Sequence, residues 1–149
     1  MTAKEYLKQI QLLDIRIQRL ELEREQLLYR AGGLKGIDYA AEKVSGTPDP
    51  DKMLVLVDKA NKIERRIAKL TGKYISMRDK IVKQIVSLDD PRYVEILSLR
   101  YLEKKRLEDI ACIMHKPNGD CYSYDHILKI HGYALAEFSR VYNSDMKKF

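Results

Sequence analysis

Two runs of apolar residues spaced alternately four and three apart constrain this chain more than anything else in it. The first is Tyr6, Ile10, Leu13, Ile17, Leu20 and Leu27, broken only by Arg24. The second is Leu56, Ala60, Ile63, Ile67, Leu70, Tyr74, Met77 and Ile81, and Ile85 and Leu88 extend it. That spacing lines one face of an α-helix and scatters over both faces of a strand. It predicts helices over residues 2–30 and 50–88. Thr2 and Glu5 have the spacing of a capping box at the start of the first. Leu7, Leu12, Ile15, Leu22 and Leu28 widen its apolar stripe, and Ala31-Gly32-Gly33 offers a stop. Asp49 as N-cap and Pro50 as first residue open the second helix. It spans roughly 57 Å at about 1.5 Å per residue, and Gly72 weakens it by about 1 kcal/mol relative to Ala. Neither stripe can stay in water. The two helices are expected to pack as an antiparallel hairpin, or to pair with a second chain into a homo-oligomer through residues 1–88.

The stretch 31–50 has no sustained period and ends in Ser45-Gly46-Thr47-Pro48-Asp49-Pro50, which reads as a mobile connection in which Ile37, Tyr39 and Ala40 allow one short helical turn. Asp89-Asp90-Pro91 punctuates the chain again, with an N-cap followed by Pro at the first helical position. Beyond it the periods shorten. Helices are expected over 91–102, with Val94, Leu97 and Tyr101 on one face, over 107–114, and over 123–144 behind the cap Ser123. The expected fold is all-α: a long helical hairpin over 1–88, then a small helical domain over 89–149.

Composition narrows the function classes. The 149 residues include 7 Gly, 4 Pro and 2 Cys, and 34% of them are charged. Two cysteines make no disulfide framework, no signal-peptide core opens the chain, and no run approaches the roughly 18 apolar residues of a membrane span. A soluble cytoplasmic protein without membrane contact is expected. The net charge of +6 is unevenly spread: residues 1–50 carry eight basic and eight acidic side chains, 51–88 ten and four, and 89–149 ten of each. The excess, compatible with a polyanionic partner, lies in the middle segment.

The stretches that carry function lie at the C-terminal end: Tyr93-Val94-Glu95-Ile96-Leu97-Ser98-Leu99-Arg100-Tyr101-Leu102, Leu107-Glu108-Asp109-Ile110-Ala111, and Ser123-Tyr124-Asp125-His126-Ile127. With the later Ile127-Leu128-Lys129-Ile130-His131-Gly132-Tyr133-Ala134-Leu135, they resemble the helix-turn-helix of sigma-70 region 4. The closer likeness is to the small region-4-like regulators of Gram-positive phages and prophages. The opening Met-Thr-Ala-Lys-Glu-Tyr-Leu-Lys-Gln-Ile shares it, so the resemblance covers essentially the whole chain. Two features depart from that pattern. Arg106 stands where the family places a capping Thr or Ser, and the turn His115–Tyr122 is several residues longer.

The resemblance implies double-stranded DNA as partner, and RNA polymerase as a second one. In helix-turn-helix docking the N-terminal half of the second helix enters the major groove. Ile127, Ile130, Ala134 and Phe138 form its inward stripe, and the small Ala111 lets it cross closely over the first helix. Ser123 and the free N–H groups beside it suit a phosphate. Tyr124, His126 and Lys129 are candidates for base edges, and Asp125 for cytosine or for a helix-start charge. Lys104, Lys105 and Arg106 suit the phosphate backbone.

Blander readings stand beside these. Lys59, Lys62, Arg65, Arg66, Lys69 and Lys73 form either a nucleic-acid stripe or a solvated helix face. His131 either reads DNA or packs against neighbouring helices. Cys112, Cys121, His126 and His131 lack the spacing of a structural zinc site, so no metal or cofactor is expected. No phosphate loop, nucleophile triad or metal-binding His-Glu pair appears, so no enzymatic activity is expected. A coiled-coil adaptor whose helix-turn-helix binds protein is the alternative to a DNA-binding regulator. The balanced charge of 89–149 and the lengthened turn favour it. With nothing resembling sigma region 2 in these residues, a complete housekeeping-type sigma factor is not expected.

Overall fold

The computed structural model describes residues 1–35 and 50–148. These are all-helical, with no strand among them: α1 (Ala3–Lys35), α2 (Pro50–Val86), α3 (Pro91–Leu97), α4 (Leu107–Ile113) and α5 (Tyr124–Lys147), with a π-helical turn at Ser98–Leu102 directly after α3. The capping box forms. The Glu5 N–H donates to Thr2 Oγ1 at 3.2 Å and the Thr2 backbone N–H to Glu5 Oε2 at 2.8 Å. At α3, Asp90 accepts from the Arg92 N–H at 2.9 Å ahead of Pro91, and at α5 Ser123 accepts from the His126 N–H at 3.2 Å.

Two boundaries differ most from expectation. α1 runs through Ala31-Gly32 to Lys35. A glycine stops a helix by turning left-handed, whereas a right-handed glycine only costs the helix about 1 kcal/mol. Gly32 does not turn left-handed, and Ala31 is buried at that end. The residues 31–35 expected in the connection are therefore helical. The Asp49 cap and the short turn at Ile37, Tyr39 and Ala40 lie outside the described residues. The single helix expected over 91–102 changes to π geometry after Leu97.

The chain forms two compact units, Met1–Leu13 with Tyr74–Phe149, and Asp14–Lys73. The first has the core of Leu7, Ile10, Ile81, Ile85, Ile96, Leu97, Tyr101, Ile110, Met114, Ile127, Ile130, Ala134 and Phe138. Thus the start of α1 and the end of α2 share one interior with α3, α4 and α5. The one polar side chain that α2 buries there, Gln84, is satisfied on both sides: it accepts from the Tyr6 hydroxyl at 2.9 Å and donates to Asp145 at 2.8 Å. Tyr6 also lies against Tyr142, with ring centroids 4.8 Å apart.

In the second unit Ile17, Leu27, Ala31, Ala60 and Ile67 are buried, and Arg24, the break in the first apolar run, reaches Glu64 at 3.8 Å. Of the residues expected to widen the α1 stripe, only Leu7 is buried. Leu12, Ile15, Leu22 and Leu28 are exposed. α2 passes Gly72 without a break. Of the six basic residues on α2 from Lys59 to Lys73, Lys62 pairs with Asp58 at 3.4 Å along its own helix. Among the described residues no helix is long and apolar enough to cross a membrane.

Candidate nucleic-acid interface

Helix α5 is positioned by its buried face. Ile127, Ile130, Ala134 and Phe138 are each 2% exposed or less, and α5 packs against both α3 and α4. Ile110 and Ala111 are buried on α4. These two apolar stripes fix which side of α5 faces water. Ser123, Tyr124, Asp125 and Lys129 are exposed there. Ser123 satisfies the third N–H of α5 with its side chain, and its carbonyl takes that of Ile127. The N–H groups of Tyr124 and Asp125 come earlier still, where a helix has no carbonyl of its own to offer.

His126 is less free than its neighbours. Its ring meets the Tyr122 ring edge-on at 4.9 Å, and it is half-buried. Tyr122 itself is buried, and with Ile127 it occupies the N′ and N4 positions of a hydrophobic staple, which sets the angle at which the chain enters α5. Sequence reasoning missed Tyr122, although an apolar residue before the Ser cap was the signal. Lys116, also missed, carries its ammonium 5.8 Å from the centre of the same ring.

The long turn before α5 is an ordered hairpin. The Lys116 N–H donates to the Asp120 carbonyl at 2.8 Å, the Gly119 N–H to the Lys116 carbonyl at 2.8 Å, and His115 bridges Cys121 in antiparallel fashion. Gly119, at φ 90°, takes the left-handed position that lets so short a loop close, and the Asn118 side chain accepts from the Asp120 N–H.

The basic trio ahead of α4 is exposed but not uniform. Lys104 has φ 59°, a left-handed stop after the π turn, and the Lys105 N–H donates back to the Leu99 carbonyl at 2.9 Å. The Lys105 carbonyl accepts from Arg100 at 3.1 Å. Arg106, at the cap position of α4, makes no side-chain cap; its guanidinium pairs with Asp109 at 3.2 Å, which holds it more firmly protonated than usual. Asp90 is likewise held below the ordinary carboxylate range by hydrogen bonds from the Arg92 guanidinium.

His131 lies on the inner side of α5. It is 8% exposed, its Nε2 is 3.0 Å from the Tyr101 hydroxyl, and the two rings stack at 5.8 Å. Burial, aided by the positive charges of Lys4 and Arg100, lowers its pKa from 6.5 to about 4. A neutral imidazole in the core cannot read a base, so of its two readings the structure takes the packing one. In the π turn that carries Tyr101, the Arg100 carbonyl accepts from Gln11 of α1 at 2.9 Å. Among the described residues no group of three or more His, Cys, Asp or Glu side chains is placed to hold a metal ion. Comparisons with protein families, with curated proteins and with solved structures each find no match.

Proposed function

We propose that this chain is a cytoplasmic transcription regulator of the phage or prophage type, binding duplex promoter DNA through α4 and α5. One observation carries the reading. The N-terminal half of α5 turns Ser123, Tyr124, Asp125 and Lys129 to water while its opposite face is locked against α3 and α4. A helix held rigidly by one face and polar at its free N-terminal end is what entry into a major groove requires. In this reading Lys129 and Tyr124 meet base edges, and His126 and Asp125 lie at the margin of the contact. Ser123, Lys104, Lys105 and Arg106 meet the phosphate backbone, the last after exchanging Asp109 for a phosphate. RNA polymerase is the second partner, by the likeness to sigma region 4, and a second copy joins through the exposed apolar residues of 1–88.

The adaptor reading has its own support. Tyr124, Leu128 and Tyr133 expose 40 to 60% of their surface along α5, and residues 89–149 carry no net charge. Titration of labelled duplex from the source genome's intergenic DNA, at several salt concentrations, separates the two. Binding that weakens steeply with salt supports the regulator, because phosphate neutralisation releases counterions. Salt-insensitive or absent binding overturns it in favour of the adaptor.

A further inference from the structure

Both cysteines of the chain lie at the hairpin that precedes α5, and both are exposed free thiols. Cys112 is on the last turn of α4, and Cys121 is two residues before the Ser123 cap. Nine residues apart in sequence, the two residues lie together: Cys121 Sγ is 3.9 Å from the Cys112 backbone carbonyl oxygen. The same sulfur is 3.7 Å from His115 Nδ1. An exposed thiol with a second thiol's residue against it and an imidazole within reach has the parts of a redox pair: a sulfur to be oxidised, a base and a resolving partner.

We propose that Cys112 and Cys121 form a peroxide-sensitive dithiol that closes to an intramolecular disulfide. In the tautomer protonated at Nε2, His115 Nδ1 takes the proton of the Cys121 thiol. The thiolate attacks a hydroperoxide, the O–O bond breaks, and with hydrogen peroxide one water leaves and Cys121 becomes a sulfenic acid. The Cys112 thiol then attacks that sulfur, the S–O bond breaks, and a second water leaves. Two thiols are oxidised by two electrons and one peroxide is reduced to two waters. The bond ties the C-terminal end of α4 to the foot of α5 across the hairpin. Its formation does not depend on the DNA reading, although it would fix the spacing of the two helices on which that reading relies.

The test uses the full chain with one equivalent of hydrogen peroxide, followed by intact mass, thiol alkylation and peptide mapping. Expected are a loss of 2 Da, disappearance of both alkylatable thiols, and a peptide linking residues 112 and 121, all reversed by dithiothreitol. Cys112→Ser should give instead a gain of 16 Da at Cys121, which dimedone traps. His115→Gln should slow the wild-type reaction several-fold while giving the same product. Two free thiols after treatment, independent over-oxidation of each cysteine, or only intermolecular bridges would overturn the proposal. An unchanged rate in His115→Gln overturns the role given to the imidazole. Far-ultraviolet circular dichroism of each variant confirms that the helices are intact, so that a null result reports on the chemistry.

Discussion

His131 should make the stability of the unit that holds α3, α4 and α5 depend on pH between 6.5 and 4. Burial among α1, α5 and the π turn, with Lys4 and Arg100 nearby, lowers its pKa to about 4 in the folded chain. In the unfolded chain it returns to 6.5. Between these values the unfolded state binds a proton that the folded state refuses, so stability falls as pH falls from 6.5 towards 4, and is unaffected above 6.5. The full difference corresponds to roughly 3 kcal/mol at about 1.4 kcal/mol per pH unit. About 2 kcal/mol of it should be lost between pH 7 and pH 5. His131→Gln retains a partner for the Tyr101 hydroxyl, 3.0 Å away, and does not titrate. Replacing the ring removes its stacking on Tyr101, so the variant should be weaker at neutral pH by about 1 kcal/mol. Urea unfolding of both proteins at pH 7, 6 and 5, followed by circular dichroism, gives the comparison. The gap between wild type and variant should shrink, and then reverse, as pH falls, while carboxylates common to both cancel. A gap that stays constant from pH 7 to pH 5 would refute the argument, as would a His131 resonance titrating near 6.5.

The other predictions concern the shared core and the interface. Leu7→Ala removes a fully buried side chain and should destabilise the unit containing α5 by about 2–5 kcal/mol, read by urea unfolding; a change below 1 kcal/mol would mean that α1 is only draped on it. A fragment of residues 89–149 lacks Leu7, Ile10, Ile81 and Ile85 and should show no cooperative thermal transition. Gly119→Ala, at φ 90°, should cost roughly 1 kcal/mol in chemical denaturation, because a side chain resists the left-handed turn. Under the proposed function, Lys129→Ala and Tyr124→Ala should weaken binding to a cognate duplex more than to random duplex in fluorescence anisotropy. Lys104→Ala and Lys105→Ala should weaken both alike and flatten the salt slope by about one per lost phosphate contact.

Much of this molecule is legible locally. The capping box at Thr2 and Glu5, the Asp90-Pro91 and Ser123 starts, and the inward stripe Ile127, Ile130, Ala134 and Phe138 all depend on residues within one or two helical turns of each other. That is the range over which a sequence pattern carries its own geometry. The same reasoning sets the exposed end of α5, since burying one face leaves the other to water.

What the sequence could not specify is which buried face meets which. An apolar stripe demands a partner but does not name it, so the stripes of residues 1–88 read as answering one another. Only the tertiary structure places Leu7, Ile10, Ile81 and Ile85 in one interior with α5, and gives Gln84 its two partners, 78 residues away at Tyr6 and 61 away at Asp145. The same holds for His131. Its place in the chain allowed either a base-reading or a packing role, and the decision came from the Tyr101 hydroxyl 30 residues away. That hydroxyl is positioned by a π turn which no local signal in Ser98–Leu102 announces. Local spacing determined the helices, the starts at Thr2, Asp90 and Ser123, and the buried side of α5. The long-range burial of apolar surface, which rewards any partner that excludes water, decided how those sides were matched.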